Sequence, residues 1–66
     1  MRLLIQRMPA AQFFHRGEWL SNKHLAQSFP DTYAIRETCL QYGLEAVQLV
    51  ITFDDERPDL SLPLDT

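Results

Sequence analysis

Cys39 and the two histidines, His15 and His24, are the side chains of this sequence best suited to nucleophilic chemistry. A cysteine attacks as its thiolate, so near neutral pH it needs a neighbouring base or a positively charged environment. Cys39, however, falls on the same face of a predicted helix as Ile35 and Tyr42. Because unpaired cysteines are among the most buried residues, we expect a structural thiol in the core.

The spacing of these residues does not indicate a metal or cofactor site. No pair is arranged as C-x-x-C or at i, i+4, the spacings that bring ligands together on one element. With Gly17 and Gly43 as its only glycines, the chain cannot form a glycine-rich phosphate loop. His15, Arg16 and Glu18 carry groups suited to acid–base catalysis, but an exposed turn does not exclude water. We therefore predict no catalytic, metal or cofactor site and no enzyme activity.

Arginines and aromatic residues are interleaved in the first third of the chain: Arg2, Arg7 and Arg16 with Phe13, Phe14 and Trp19. Such a mixture can stack bases and follow a phosphate backbone. The formal net charge is −3, however, and residues 54–66 hold most of the acidity, with Arg57 as their only cation. This segment would repel a polyanion. Nucleic-acid binding is therefore the alternative hypothesis, and we expect the aromatics to form core with the arginines at its rim.

Length and composition indicate one small globular domain. The 66 residues are 45% hydrophobic, which is enough for a packed core but leaves little room for a large cavity. A single cysteine cannot form an internal disulfide, which favours a reducing, cytoplasmic location. The short apolar run Leu3–Ile5 is too brief for a signal peptide, and no run approaches a membrane span, so no membrane association is predicted.

The first half of the chain predicts two strand regions and a short helix. Residues 2–7 have a strand pattern that ends at Pro9, which lacks an N–H for sheet pairing. Residues 13–20 predict a tight hairpin in which Phe13 or Phe14 packs against Trp19. Ser21 is placed to cap a helix over residues 22–28, with Leu25 and Phe29 as its apolar stripe, and Pro30 ends it.

The second half predicts a longer helix and a buried strand. Asp31 is placed to cap a helix over residues 32–42, and Gly43 to end it in the left-handed conformation with Leu44 contacting Cys39. Residues 47–53 predict a strand beside the first one. Residues 54–66 form an acidic extended tail that either is disordered or adds a strand to a sheet edge of this chain, of a second copy or of another protein.

These elements predict an α+β fold. Its small antiparallel or mixed sheet follows the order strand, hairpin, helix, helix, strand, with both helices packed on one face. The folded domain is predicted to span residues 1–53, with residues 54–66 as its tail.

Several of these residues form a familiar pattern: Gly17-x-Trp19, Phe29-Pro30, the helix end Tyr42-Gly43-Leu44 and the strand from Val47 to Phe53. The pattern resembles that of short, uncharacterised bacterial proteins with a G-x-W hairpin, an F-P break, a helix ending in G-L and a closing strand. The resemblance covers about residues 3–53. It implies a fold and carries no activity with it.

Apolar residues left over after the core is filled predict a protein-interaction module. Leu4 and Val50 fall on the sheet face opposite the helices, and the acidic tail has leucines at the alternating positions 60, 62 and 64. The predicted interaction surface comprises Leu4, Arg16, Val50, Leu60, Leu62 and Leu64. Its expected partner is another protein or a second copy in a homodimer, which would also enlarge a small core.

Overall fold

The computed structural model describes residues 1–8 and 10–64 of the chain. They form one five-stranded antiparallel sheet, one α-helix and one 3-10 turn. Pro9, Asp65 and Thr66 lie outside these ranges. The turn prediction at Pro9 and the last part of the tail prediction therefore fall outside the described residues. The elements in chain order are β1 (Arg2–Arg7), β2 (Gln12–His15), β3 (Glu18–Leu20), the 3-10 turn (Lys23–Leu25), α1 (Thr32–Tyr42), β4 (Val47–Thr52) and β5 (Leu60–Pro63).

The strand order is β3-β2-β1-β4-β5, so the first strand lies at the centre of the sheet. β1 pairs with β4 along its whole length, from Arg2 opposite Thr52 to Arg7 opposite Val47. This confirms the prediction that these two strands are neighbours. The strand bounds 2–7 are also as predicted, whereas β4 ends one residue earlier than expected.

The β2–β3 hairpin is confirmed, with Arg16 and Gly17 as its two turn residues. Both have positive φ, 48° and 91°, which is the conformation of a type I′ turn and matches the twist of the paired strands. Phe14 lies opposite Trp19, and their rings meet edge to face at 5.5 Å. The predicted cross-strand aromatic contact is therefore confirmed, with Phe14 as the partner.

The longer helix is also confirmed, including both of its ends. The Asp31 side chain accepts a hydrogen bond from the Ala34 amide at 2.8 Å, which caps the first turn. Gly43 adopts φ 64° and ψ 39°, and the Leu44 amide donates to the Cys39 carbonyl at 2.9 Å. This is the hydrogen bond of a Schellman ending, as the sequence predicts.

The prediction of two helices on one face is wrong, because residues 22–28 form only the 3-10 turn, capped by Asn22 and not by Ser21. β1 and β2 pair only beside their turn, at Gln6–Phe13 and Arg7–Gln12. Beyond that point the backbone of residues 27–29 binds both strands: the Gln27 amide donates to the Phe14 carbonyl and the Phe29 amide to the Leu3 carbonyl. These hydrogen bonds hold the segment extended, so a helix cannot continue through it.

The two faces of the sheet are covered differently. On the helix face, Ile35 and Cys39 of α1 pack on a core that includes Leu3, Ile5, Phe14, Phe29, Val47 and Leu49. On the opposite face, the segment after β3 covers Leu4, Phe13 and Val50 with Ala26. The Arg2 guanidinium fastens this segment by donating to the Lys23 and Ala26 carbonyls and to the Ser28 hydroxyl. A loop therefore covers this face of the sheet, for which the sequence predicted no covering element.

Part of the acidic tail joins the sheet as β5, an edge strand antiparallel to β4. Among the alternatives for the tail, the structure therefore has the strand added to the edge of its own sheet. Leu60 pairs with Ile51 and Leu62 with Leu49, which puts both leucines on the helix face. None of the helices in the described part of the chain is long and apolar enough to cross a membrane.

Candidate interaction surface

The residues best suited to nucleophilic chemistry are not brought together. Cys39 is buried in α1, and burial raises the pKa of its thiol, which disfavours the reactive thiolate. His15 lies on β2, with a buried Nδ1 that has no hydrogen-bond partner among residues 1–8 and 10–64. His24 is exposed in the 3-10 turn. Within those same ranges no group of three His, Cys, Asp or Glu side chains could hold a metal ion.

The arginines and aromatic residues of the first third interact mainly with each other and with the core. Phe13 and Phe14 are buried. The Arg7 guanidinium lies 4.6 Å from the centre of the Trp19 ring and also donates to Gln12. Arg2 is bound to the segment that covers the second face. The arrangement matches the expected core of aromatics with arginines at its rim.

The structure separates the six residues of the predicted interaction surface. Leu4 and Val50 are 0% and 3% exposed, because the segment around Ala26 lies over them. Arg16 is exposed at the β2–β3 turn, where its backbone amide donates to the Gln27 side chain. The three leucines of the tail lie together at the opposite edge of the sheet. Of the six residues, these three share one face of the edge strand.

We call Leu60 and Leu62, with Ile51 and Leu64 beside them, the β5 strip. Leu60 and Leu62 are 51% and 50% exposed, whereas Ile51 and Leu64 are half-buried and pack against the core. All four side chains are on the helix face, because Leu60 is opposite Ile51 and the Leu64 amide donates to the Val47 carbonyl. The strip therefore extends the core to the open edge of the sheet.

The backbone of β5 also leaves hydrogen-bonding groups at this edge. Since Leu64 is hydrogen-bonded to Val47, alternation along an antiparallel pair directs Leu60 and Leu62 towards β4 as well. The N–H and C=O groups of Ser61 and the C=O of Pro63 then point away from the sheet. Pro63 has no N–H, so it occupies a position where no donor to β4 is required.

The acidic connection between β4 and β5 is held by local contacts. The Arg57 side chain and backbone amide both donate to the Asp55 carboxylate at 2.9–3.0 Å, and this hydrogen bonding lowers the pKa of Asp55. The Arg57 guanidinium lies 4.1 Å from the centre of the Phe53 ring. Lys23 donates to Asp59 at 2.9 Å, immediately before β5. These contacts direct the chain back along β4.

The other edge strand, β3, is one residue shorter than β5. β3 has three residues, and its pairing of Glu18 with His15 next to the turn leaves only Trp19 with backbone groups directed outwards. Short edge strands are one way in which proteins avoid further strand pairing. β5 has in addition the outward-facing Pro63 carbonyl and the exposed side chains of Leu60 and Leu62, which favour it over β3 for binding another strand.

Ser61 and Pro63 were missed when the sequence alone was considered. A proline inside an alternating strand pattern is typical of an edge strand, so Pro63 carried a signal that could have placed this segment at the rim of the sheet. The exposed outer side of α1, with Tyr33 and Leu40 at 69% and 64% exposure, was also missed. These two side chains are seven residues apart, which places them on one side of the helix.

A further polar depression of about 270 Å³ lies on the second face, lined by Arg2, Lys23, His24, Thr52, Phe53 and Asp54. Its charged groups already have partners within the molecule: Arg2 binds backbone carbonyls, Lys23 binds Asp59 and Asp54 binds the N-terminal amine.

Comparison of the chain with protein-family models, curated proteins and solved structures gave no match.

Proposed function

We propose that this chain is a small, non-enzymatic protein-interaction module that self-associates through the β5 strip. The observation that carries the proposal is the coincidence, on one strand, of half-exposed leucines with outward-facing backbone groups. Leu60 and Leu62 supply apolar area, and Ser61 supplies a donor and an acceptor. Edge strands with both features are the usual sites of strand addition between proteins.

The small size of the chain supports a second copy as the partner. A domain of 66 residues buries a limited fraction of its surface, so covering Leu60 and Leu62 in a dimer adds a useful amount of buried apolar area. Cyclic dimers are the commonest oligomers, and they use one patch that is complementary to itself. The β5 strip can be such a patch, because the leucines of one copy can pack against the same leucines of the other.

The proposal is tested by sedimentation velocity over a concentration series of the full chain, up to roughly 1 mM, where weak complexes are populated. The interface is small, so we expect a reversible monomer–dimer equilibrium. The double substitution L60S/L62S removes the apolar part of the strip and should leave a monomer. A wild-type chain that stays monomeric at every concentration would overturn the proposal.

The matched control is Y33S/L40S, which removes two similarly exposed apolar side chains from the outer side of α1. It should dimerise like the wild type. If it loses dimerisation while L60S/L62S keeps it, the interface is on the helix and not on β5. Circular dichroism and the urea midpoint of each variant establish that the fold is retained.

A further inference from the structure

We infer that two copies of this chain pair their β5 strands antiparallel about a two-fold axis at Ser61, forming one continuous ten-stranded sheet. The inference rests on the proposed self-association and specifies its geometry. It follows from which backbone groups of β5 are already used by β4 and which point outwards.

The outward-facing groups of β5 are complementary to themselves in one register. With Ser61 opposite Ser61 of the second copy, each Ser61 N–H donates to the other Ser61 C=O. In the same register Asp59, the residue immediately before β5, is opposite Pro63. Extension of each strand by this one residue on pairing lets the Asp59 N–H donate to the Pro63 C=O at both ends. The missing N–H of Pro63 leaves only the Asp59 carbonyl without a partner, and that group remains at the solvent-exposed end of the strand.

The side chains agree with this register. When Ser61 meets its own copy, Leu60 lies opposite Leu62 of the second chain, and Leu62 opposite Leu60. All four leucines are on the helix face, since Leu60 and Leu62 pair with Ile51 and Leu49 in their own sheet. The four half-exposed side chains then cover one another, and each strip continues the core of the other copy.

The charges favour the antiparallel direction. Asp54, Asp55 and Glu56 precede β5, so a parallel arrangement would place two acidic segments side by side. In the antiparallel register the two Asp59 residues are offset by four positions, about 14 Å along the strand, and the acidic residues before them are farther apart still. That separation exceeds the screening length of about 8 Å at physiological salt.

Engineered cysteines test the register directly. In a C39A background, the substitution S61C should give a disulfide-linked dimer on mild oxidation, because directly opposite hydrogen-bonded residues have Cα atoms about 5.5 Å apart, within disulfide range. D59C alone and P63C alone should not link, since each residue lies far from its own copy. An equimolar mixture of D59C and P63C should link, because these positions face each other.

Removal of a single donor tests the hydrogen bonds. S61P deletes the outward-facing N–H of Ser61 while leaving the amides of Leu60, Leu62 and Leu64 for β4. It should weaken dimerisation about tenfold or more, because both copies lose a hydrogen bond. L40S, which changes an exposed side chain of α1, should have no effect on dimerisation.

The two proposals fail in different ways. If the wild-type chain dimerises by sedimentation but S61C does not link and S61P has no effect, the two-fold strand pairing is wrong and self-association stands. If the wild type stays monomeric, both are wrong. Linkage of S61C, and of D59C with P63C only in the mixture, would support the register.

Discussion

Two single residues control the ends of α1 and the conformation that follows it. The Asp31 carboxylate satisfies the Ala34 amide, and Gly43 adopts the left-handed conformation that lets the Leu44 amide reach the Cys39 carbonyl. Both devices are local, because they involve residues within five positions of each other. Their effect on stability can therefore be measured with single substitutions that change only the contacts at the helix ends.

Replacement of Gly43 by alanine should destabilise the fold by about 1 kcal/mol, because a side chain at φ 64° is strained. An added Cβ has no other atom within 4 Å, so the effect is conformational and not a clash. The measurement is the free energy of unfolding in urea. Gly43→Asn is the control and should lose less unfolding free energy than Gly43→Ala, since asparagine tolerates this conformation. Equal stability of all three chains would contradict the left-handed helix end.

Cys39 should react slowly with iodoacetamide in the folded chain, roughly tenfold or more slowly than in urea, because labelling requires opening of the core.

Burial raises the pKa of the Cys39 thiol, so the unfolded chain loses this proton at a lower pH than the folded chain. The stability contributed by the neutral thiol is therefore present below the ordinary thiol pKa of about 8.5 and declines as pH rises above it.

The control for that pH dependence is Cys39→Ala, which removes the thiol and leaves every other ionisable group in place. The unfolding free energy of the wild type should fall more steeply between pH 8 and pH 10 than that of the variant. Identical slopes, or rapid labelling of the folded chain, would place the thiol outside the core.

At the scale of the elements, turns and edges determine which segments pair. The β2–β3 hairpin forms around a two-residue turn in which Arg16 has an unfavourable positive φ. β5 forms because the connection through Arg57 and Asp55 returns the chain to β4. In contrast, residues 22–28 do not keep a helix, because the sheet binds the backbone of Gln27 and Phe29.

Arg16→Asn should stabilise the chain by about 0.5 kcal/mol, because Asn-Gly is the preferred pair for a type I′ turn. The exposed Arg16 side chain is replaced, while its backbone amide still donates to Gln27. Arg16→Ala is the control and should change stability little, since alanine and arginine disfavour positive φ alike. Thermal unfolding followed by circular dichroism compares the three chains. Loss of stability in Arg16→Asn would mean that the arginine side chain itself supports the fold.

At the scale of the whole molecule, the tail, which was predicted to lie outside the folded domain, forms part of the sheet and contacts the core. Leu64 packs against the core, and β5 pairs with β4 from Gln48 to Ile51. Lys23 also links the segment over the second face to Asp59. The sequence placed the domain boundary after residue 53, a prediction that can be examined by deletion.

Deletion of residues 54–66 should lower the unfolding free energy by several kcal/mol, a large part of the roughly 3–10 kcal/mol typical of a chain of this length. The deletion uncovers Leu49 and Ile51 and leaves the hydrogen-bonding groups of β4 without β5. The matched control keeps β5 and the Asp55–Arg57 contact and removes charge only, as D54N/E56Q, and should change stability little. A deleted chain as stable as the full one would favour a domain of residues 1–53.

Local signals in the sequence determined β1, the hairpin, α1 with both of its ends, and β4, because strand alternation, turn glycines and capping residues act over a few positions. The same signals predicted a helix at residues 22–28, where hydrogen bonds to Leu3 and Phe14, distant in sequence, favour extended backbone. The burial of Leu4 and Val50 and the choice of edge for the tail depend likewise on contacts between distant segments. Only the tertiary structure decided these points, because the free energy of a long-range contact cannot be read from neighbouring residues.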